Sequence, residues 1–349
     1  MRERARPQSR HIKRLLRSDG GPSRLDICLL FAVLVDSEPM DAKRSTGVRT
    51  HRFGGDWTTA KLDVIARYLA SYTTALKGQP STEHPFVKGY IDAFAGTGYR
   101  DARRDERTDA PPQALLLPDL AEAEPQALLD GSARLALKTQ PRFDRYIFIE
   151  RSPERCAQLE LLKQEFPDLA RDIHIRRGDA NIEIEELCAK DWSSHRGVLF
   201  LDPYGMQVDW TTIEAIARTK AIDLWVLFPL GIGVNRLLTK SGDIPESWRR
   251  RLNLLLGTED WYDEFYRFES TPTLFGGEAE RVVKASTDTI GKYFNNRLKS
   301  IFAAVADEPK VLRNSANSPL YLLCFAAGNP KGAPIALRIA THLLKKGTE

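Results

Sequence analysis

The chain has 349 residues, enough for one large domain or two small ones, and its 42% apolar, 28% charged composition is that of an ordinary globular protein able to build a core without staples. Its four cysteines, Cys28, Cys156, Cys188 and Cys324, share no short spacing, which excludes a zinc knuckle or a disulfide framework and points to buried thiols in a reducing cytoplasm. The formal charge of +4 hides an asymmetry: residues 1–24 carry eight basic side chains against Glu3 and Asp19, so the remainder is close to neutral and net charge is no argument for nucleic-acid binding.

Residues 1–50 read as a basic leader. The apolar run from Ile27 to Val35 is too short for a bilayer, which needs about 20 residues, and Asp36-Ser37-Glu38-Pro39 lacks the small-x-small pattern of a cleaved secretory signal. This leader is expected to be poorly ordered, with Met40 as an alternative start of translation. From Asp56 to Lys77, Leu62, Ile65, Leu69, Tyr72 and Leu76 recur at steps of three or four and predict an amphipathic helix, with Asp56, Thr58 or Thr59 as its N-cap. Its ordinary role is to cover a sheet; its functional one would be to present Trp57, Thr59 or Lys61 to a ligand.

Val87 to Asp92 reads as a buried strand that passes through Ala93-Phe94-Ala95 into Gly96-Thr97-Gly98. Two glycines spaced one apart let backbone amides approach a ligand, since glycine has no Cβ and tolerates positive φ. Residues 99–142 then form a long connection, with a mixed-charge run at 99–107, helical spacing at Gln113–Leu120 and Gln126–Leu137, and Gly131-Ser132 interrupting the second segment as a turn or as the start of a short helix. This insertion belongs at the ligand-binding edge of the sheet.

Four more apolar strands follow: Tyr146–Glu150, Ile173–Ile175, Val198–Asp202 and Leu224–Phe228. Their alternation with helices, one of them capped by Ser152 with Pro153 in its first turn and carrying Cys156, Leu159 and Leu162, predicts an α/β, doubly wound parallel sheet. Ligands of such sheets bind at the carboxyl ends of the strands. Asp92, Glu150, Asp179 and Asp202 all fall there, a series that structural caps alone do not readily explain. Glu150 suits a ribose diol, Asp179 with Ala180 an adenine amine, and Asp92 a cationic amino or sulfonium group better than a pyrophosphate. Arg100 and Asp101 stand where a dinucleotide fingerprint needs its third glycine, and no Gly-Lys-Ser/Thr is present. S-adenosylmethionine is therefore favoured over a nicotinamide dinucleotide, whose oxidoreductases remain the rival class.

Asp92-Ala93-Phe94-Ala95-Gly96-Thr97-Gly98, Glu150, Gly178-Asp179-Ala180 and Asp202-Pro203-Tyr204-Gly205 resemble the ordered motifs of class I SAM-dependent methyltransferases. More narrowly, Trp57-Thr58, Gly131-Ser132-Ala133, Phe228-Pro229-Leu230-Gly231, Asn235-Arg236-Leu237-Leu238 and the Leu320–Ala326 strand are similar to the bacterial three-Cys-motif partner protein family, over roughly residues 50–345. The resemblance implies a Rossmann-like methyltransferase sheet of seven strands with the last antiparallel, S-adenosylmethionine as cofactor, and a separate protein partner bearing three cysteines. It does not supply a substrate. Asp202, Pro203 and Tyr204 correspond to the catalytic turn of amino-methyltransferases with one proline missing; the turn either holds a target amine and stacks its base, as in base-amine methylation, or merely closes the site.

Beyond Phe228, Asn235 or Arg236 could contact substrate or could simply start a helix. Residues 231–283 read as a helical insertion in which Trp248, Trp261, Tyr262, Phe265, Tyr266 and Phe268 interleave with Arg249, Arg250 and Arg251. That mixture either packs the insertion onto the core, the favoured reading, or binds single-stranded nucleic acid. Residues 284–349 complete the core: a helix from Thr287 to Ile301, a weak strand near Lys310–Leu312, the last strand at Leu320–Ala326, and a helix over Ala333–Lys345 with Ile335, Ile339 and Leu343 inward. The chain thus divides into leader (1–50), SAM-binding core (51–230), helical insertion (231–283) and C-terminal core (284–349). The reading is a cytoplasmic methyltransferase acting on an amino group of a nucleobase or nucleic acid; the alternative is a non-catalytic SAM-binding regulator. Neither a membrane contact nor a metal is expected.

Overall fold

A computed structural model of the protein describes residues 56–79, 81, 86–95, 131–272 and 278–346. The leader, the Gly96-Thr97-Gly98 turn and most of the 99–142 insertion lie outside the described residues. The core is an eight-stranded sheet in the order β3-β2-β1-β4-β5-β10-β8, with β9 also paired to β10. Its strands are β1 (Val87–Asp92), β2 (Arg145–Glu150), β3 (Ile173–Arg177), β4 (His195–Leu201), β5 (Ile222–Phe228), β8 (Ala304–Val305), β9 (Lys310–Arg313) and β10 (Pro319–Ala327). The first five are mutually parallel and β10 runs antiparallel to β5, β8 and β9. This is the doubly wound, methyltransferase-like α/β sheet with its last strand antiparallel; the additional strand is the two-residue β8 at the edge.

The longer helices are α1 (Asp56–Ala75), α2 (Gly131–Lys138), α3 (Pro153–Glu165), α4 (Ala180–Cys188), α5 (Trp210–Arg218), α6 (Glu246–Leu256), α7 (Trp261–Phe265), α8 (Thr287–Lys299) and α9 (Ala333–Lys345), and a single helical turn at Asn235–Leu237 begins at Asn235, as one of the two expectations for that segment had it. Because side chains alternate across a strand, the two faces of the sheet differ. Ile91, Leu199, Leu201, Leu224, Val226, Phe228 and Cys324 meet Ile213 and Ile216 of α5 and Phe294 and Leu298 of α8 in one continuous core. On the opposite face Trp225 and Phe325 pack on Tyr68 of α1, and Tyr90 and Phe148 are in contact within the same aromatic layer.

Helix α1 runs antiparallel to the parallel strands. Tyr68 reaches Asp223 near the amino end of β5 (2.7 Å), while Lys61, two turns earlier, reaches Asp202 just past the carboxyl end of β4. The helix already begins at Asp56, so Asp56, Thr58 and Thr59 all lie within it and none of the three precedes it as the N-cap.

Two further expectations are corrected. The 231–283 insertion is not purely helical: after a π-helical turn at Leu230–Val234 and helices α6 and α7, it ends in a two-stranded antiparallel hairpin, β6 (Tyr266–Pro272) with β7 (Glu278–Lys284). Its aromatics largely pack: Trp261, Phe265 and Tyr266 are buried, and Arg249 lies over the Tyr262 ring at 4.5 Å. In α9, Ile335 is 39% exposed, because the buried stripe runs through Ala333, Ala336, Ile339, Ala340, Leu343 and Leu344, and Ile335 sits on its far flank. No helix among the described residues is long and apolar enough to cross a membrane.

Candidate active site

Register fixes which residues meet. Asp92 of β1 stands opposite Phe148 of β2 and Phe200 of β4, so Glu150 lies two positions further along β2 on the same face as Asp92, and Asp202 follows just past the end of β4 at the same edge. Strand order reverses between β1 and β4, the position at which doubly wound sheets open a ligand crevice. After β1 the chain is pinned there on both sides: the Ala93 amide donates to the Phe200 carbonyl and the Ala95 amide to the Ile149 carbonyl. Ala93 and Ala95 are buried and Phe94 partly so.

Asp92 is fully buried. Tyr90 Oη donates to its Oδ2 at 3.2 Å, whereas Oδ1 has no hydrogen-bond partner. Burial pushes this carboxyl up to about 7; Ser132, Tyr90 and the Phe94 amide pull it back, and the charge of nearby Asp202 pushes it further. By hydrogen-bond geometry neither Ser132 nor the Phe94 amide reaches Oδ1.

Asp223 makes a useful contrast. It too is buried and pushed up to about 6 by burial, yet Tyr68 Oη donates to one of its oxygens at 2.7 Å and the Gly328 amide to the other at 3.1 Å. It joins α1, β5 and the turn before α9, and its hydrogen bonds are complete. Of these two carboxylates, the one left incomplete is at the ligand edge. A buried polar atom without a partner costs about 1–3 kcal/mol, which native structures seldom leave uncompensated.

Beside Asp92, Asp202 Oδ2 accepts from Lys61 Nζ at 2.7 Å, with the lysine side chain 3% and the aspartate 22% exposed. Lys61 also lies 5.1 Å above the Trp57 ring, and Trp57 packs on Tyr321 of β10 at 5.2 Å. Of the three α1 residues named from the sequence, Lys61 and Trp57 are thus brought to the site, while Thr59 is exposed. Pro203 is buried, and Tyr204 is 42% exposed with its amide donating to Gln207 Oε1 at 3.1 Å. Gly205 adopts φ +82°, a conformation that suits glycine in this tight turn.

The other acids do more local work than the sequence suggested. Glu150 is buried and accepts from the Ser152 amide at 2.7 Å, with Arg155 at 3.7 Å. Asp179 is exposed and is the N-cap of α4, accepting from the Asn181 amide at 3.0 Å, next to buried Ala180. A carboxylate just before a helix satisfies one of its orphan amides, so a cap and a ligand contact look alike in sequence. Asn235 is half-buried and gives its carbonyl to Lys284 Nζ at 2.6 Å, and Arg236 is exposed; among the described residues neither is hydrogen-bonded to Asp92 or Asp202. Tyr90, Tyr321 and Asp223 were missed. Period-two alternation back from Asp92 would have found Tyr90, and an acid in the otherwise apolar run of β5 would have flagged Asp223. Among the described residues no group of three or more His, Cys, Asp or Glu side chains could hold a metal ion.

Strand order and orientation define the class, a doubly wound α/β fold with its last strand antiparallel. Neither a family model nor a curated protein matches the sequence. Among solved structures, the chain is similar to LPL1258 of Legionella pneumophila, of family DUF519, at 14% identity over 84% of this chain and 92% of that one with a TM-score of 0.37. It is also similar to the Escherichia coli protein yhhF, a proposed methyltransferase, at 11% identity over 70% of this chain and 93% of that one with a TM-score of 0.25. Likeness at this level says nothing about individual site residues.

Proposed function

We propose that the protein is a cytoplasmic SAM-dependent methyltransferase acting on an amino group of a nucleobase or nucleic acid, related to the three-Cys-motif partner proteins. The observation that carries this reading is the unpartnered Oδ1 of fully buried Asp92, next to Asp202 at the switch point of the sheet. A cationic ligand favours the ionised form of such a carboxylate and supplies the partner it lacks. S-adenosylmethionine, when bound, provides an activated methyl group on a positively charged sulfur.

Asp92, Ala93, Phe94, Gly96, Thr97 and Gly98 would hold the cationic tail, Glu150 the ribose, and Asp179 with Ala180 the adenine. Asp202 has its Oδ2 engaged by Lys61, leaving Oδ1 to accept from an acceptor amine and turn its lone pair toward the crevice. The buried Pro203 fixes the turn, and the 42% exposed Tyr204 is the proposed stacking partner of the base. Asn235 and Arg236 are proposed substrate contacts on the segment leaving β5. A three-Cys-motif protein is the proposed protein partner.

The test is labelled-methyl transfer to fractionated cellular DNA, RNA and protein, with the chain alone and with proteins co-purified from its host. Label in a nucleic-acid fraction, reduced at least a hundredfold by Asp202→Ala, is expected. A second reading takes the Lys61–Asp202 ion pair as a lock on the turn and makes the protein a non-catalytic SAM-binding regulator of its partner. Absence of label in every fraction, alone and in complex, would favour it.

A further inference from the structure

The charge arrangement around Asp202 bears on which amine the site takes. Lys61 is buried, its ammonium is 2.7 Å from Asp202 Oδ2, and the face of Trp57 lies 5.1 Å away, so the cation is held between carboxylate and ring. Asp202 is its one ion-pair partner among the described residues. The carboxylate that faces an acceptor is therefore already balanced by a fixed positive charge.

An alkylammonium such as a lysine side chain would bring a second cation within reach of the buried Lys61 ammonium, at a carboxylate that Lys61 already neutralises, and like charges so placed repel. An exocyclic nucleobase amine carries no charge at neutral pH; it needs an oxygen acceptor, which Asp202 Oδ1 provides without taking a hydrogen bond from the described residues, and a flat neighbour, which the 42% exposed Tyr204 provides.

We propose that Lys61 is a positioning residue that sets the charge of the acceptor site, so that the site takes the uncharged exocyclic amine of a nucleobase and turns away alkylammonium groups. This rests on the methyltransferase reading, and it goes beyond that reading by assigning the selection between amine classes to a helix that precedes the sheet in sequence.

The experiment is displacement of a fluorescein-labelled, mixed-sequence single-stranded oligonucleotide, followed by anisotropy without added cofactor, so that the outcome is independent of the methyl donor. Adenosine is expected to displace it from the wild type at least tenfold more effectively than n-butylammonium. Lys61→Met removes the balancing cation and is expected to reverse or abolish that preference, and Lys61→Arg to restore it. A purely structural lysine would weaken both competitors together and leave their ratio unchanged. Should Lys61→Met fail to fold, Lys61→Gln takes its place as the charge-removing variant in the same assay. The proposal is overturned if the oligonucleotide does not bind, if n-butylammonium competes with the wild type as well as adenosine does, or if the ratio survives in folded Lys61→Met. Calorimetry with S-adenosylmethionine on the same proteins reports separately on the methyltransferase reading.

Discussion

Asp92 and Asp223 are both buried carboxylates whose native pKa lies above the usual carboxylate range, at about 7 and about 6. A raised native pKa means that the folded state binds more protons than the unfolded chain between the two values. The stability they contribute is therefore fully present below the unfolded pKa and is lost as pH rises through the native one. Stability should fall between about pH 4 and pH 7, each carboxylate contributing at most about 1.4 kcal/mol per pH unit. Asp92→Asn is expected to flatten this slope and leave the Asp223 part, as read from urea unfolding at pH 5 and pH 7. An unchanged slope would mean that Asp92 is ionised in the folded protein across this range, contrary to the account. In the sequence Asp92 was legible as a strand-end acid beside a glycine turn. That one of its oxygens lacks a partner depends on where Tyr90 and Ser132 come to rest, which no local pattern records.

At the scale of elements, the carboxyl edge is built from the end of β4, the start of α1 and the start of β10. The π-helical turn after β5 must pass close under β10: a Cβ at Gly231 would collide with the carbonyl oxygen of Pro319, the first residue of that strand. Gly231→Ala is thus expected to cost about 1–3 kcal/mol, read as a lowered urea midpoint with an unchanged m-value; full stability in that variant would contradict the close approach. The parallel strands were readable because each is continuously apolar, as strands buried on both faces are. The hairpin was not, because Tyr266–Pro272 and Glu278–Lys284 mix charge with β-branched residues and show no clean alternation. The exposed Ile335 shows the same limit on a helix, where a four-residue step fits more than one stripe until the neighbouring elements choose among them.

At the scale of the molecule, distant parts of the chain converge. Lys61 and Asp202 are 141 residues apart in sequence and 2.7 Å apart in space, and Tyr68 meets Asp223 across 155 residues. The parallel alternation was legible from residues alone, whereas the antiparallel last strand came from the family resemblance and is found in the fold. The ion pair was not legible, because it arises only when α1 crosses the sheet antiparallel to the strands. Two carboxylates and one buried lysine then share the corner where ligands of such sheets bind, and the cation of the proposed cofactor would complete it. Isothermal titration calorimetry with S-adenosylmethionine and with NAD, on the wild type and on Asp92→Asn, tests this most directly. The account predicts that S-adenosylmethionine binds, that NAD does not, and that Asp92→Asn weakens binding at least tenfold; binding of NAD alone, or undiminished affinity for S-adenosylmethionine in the variant, would contradict it.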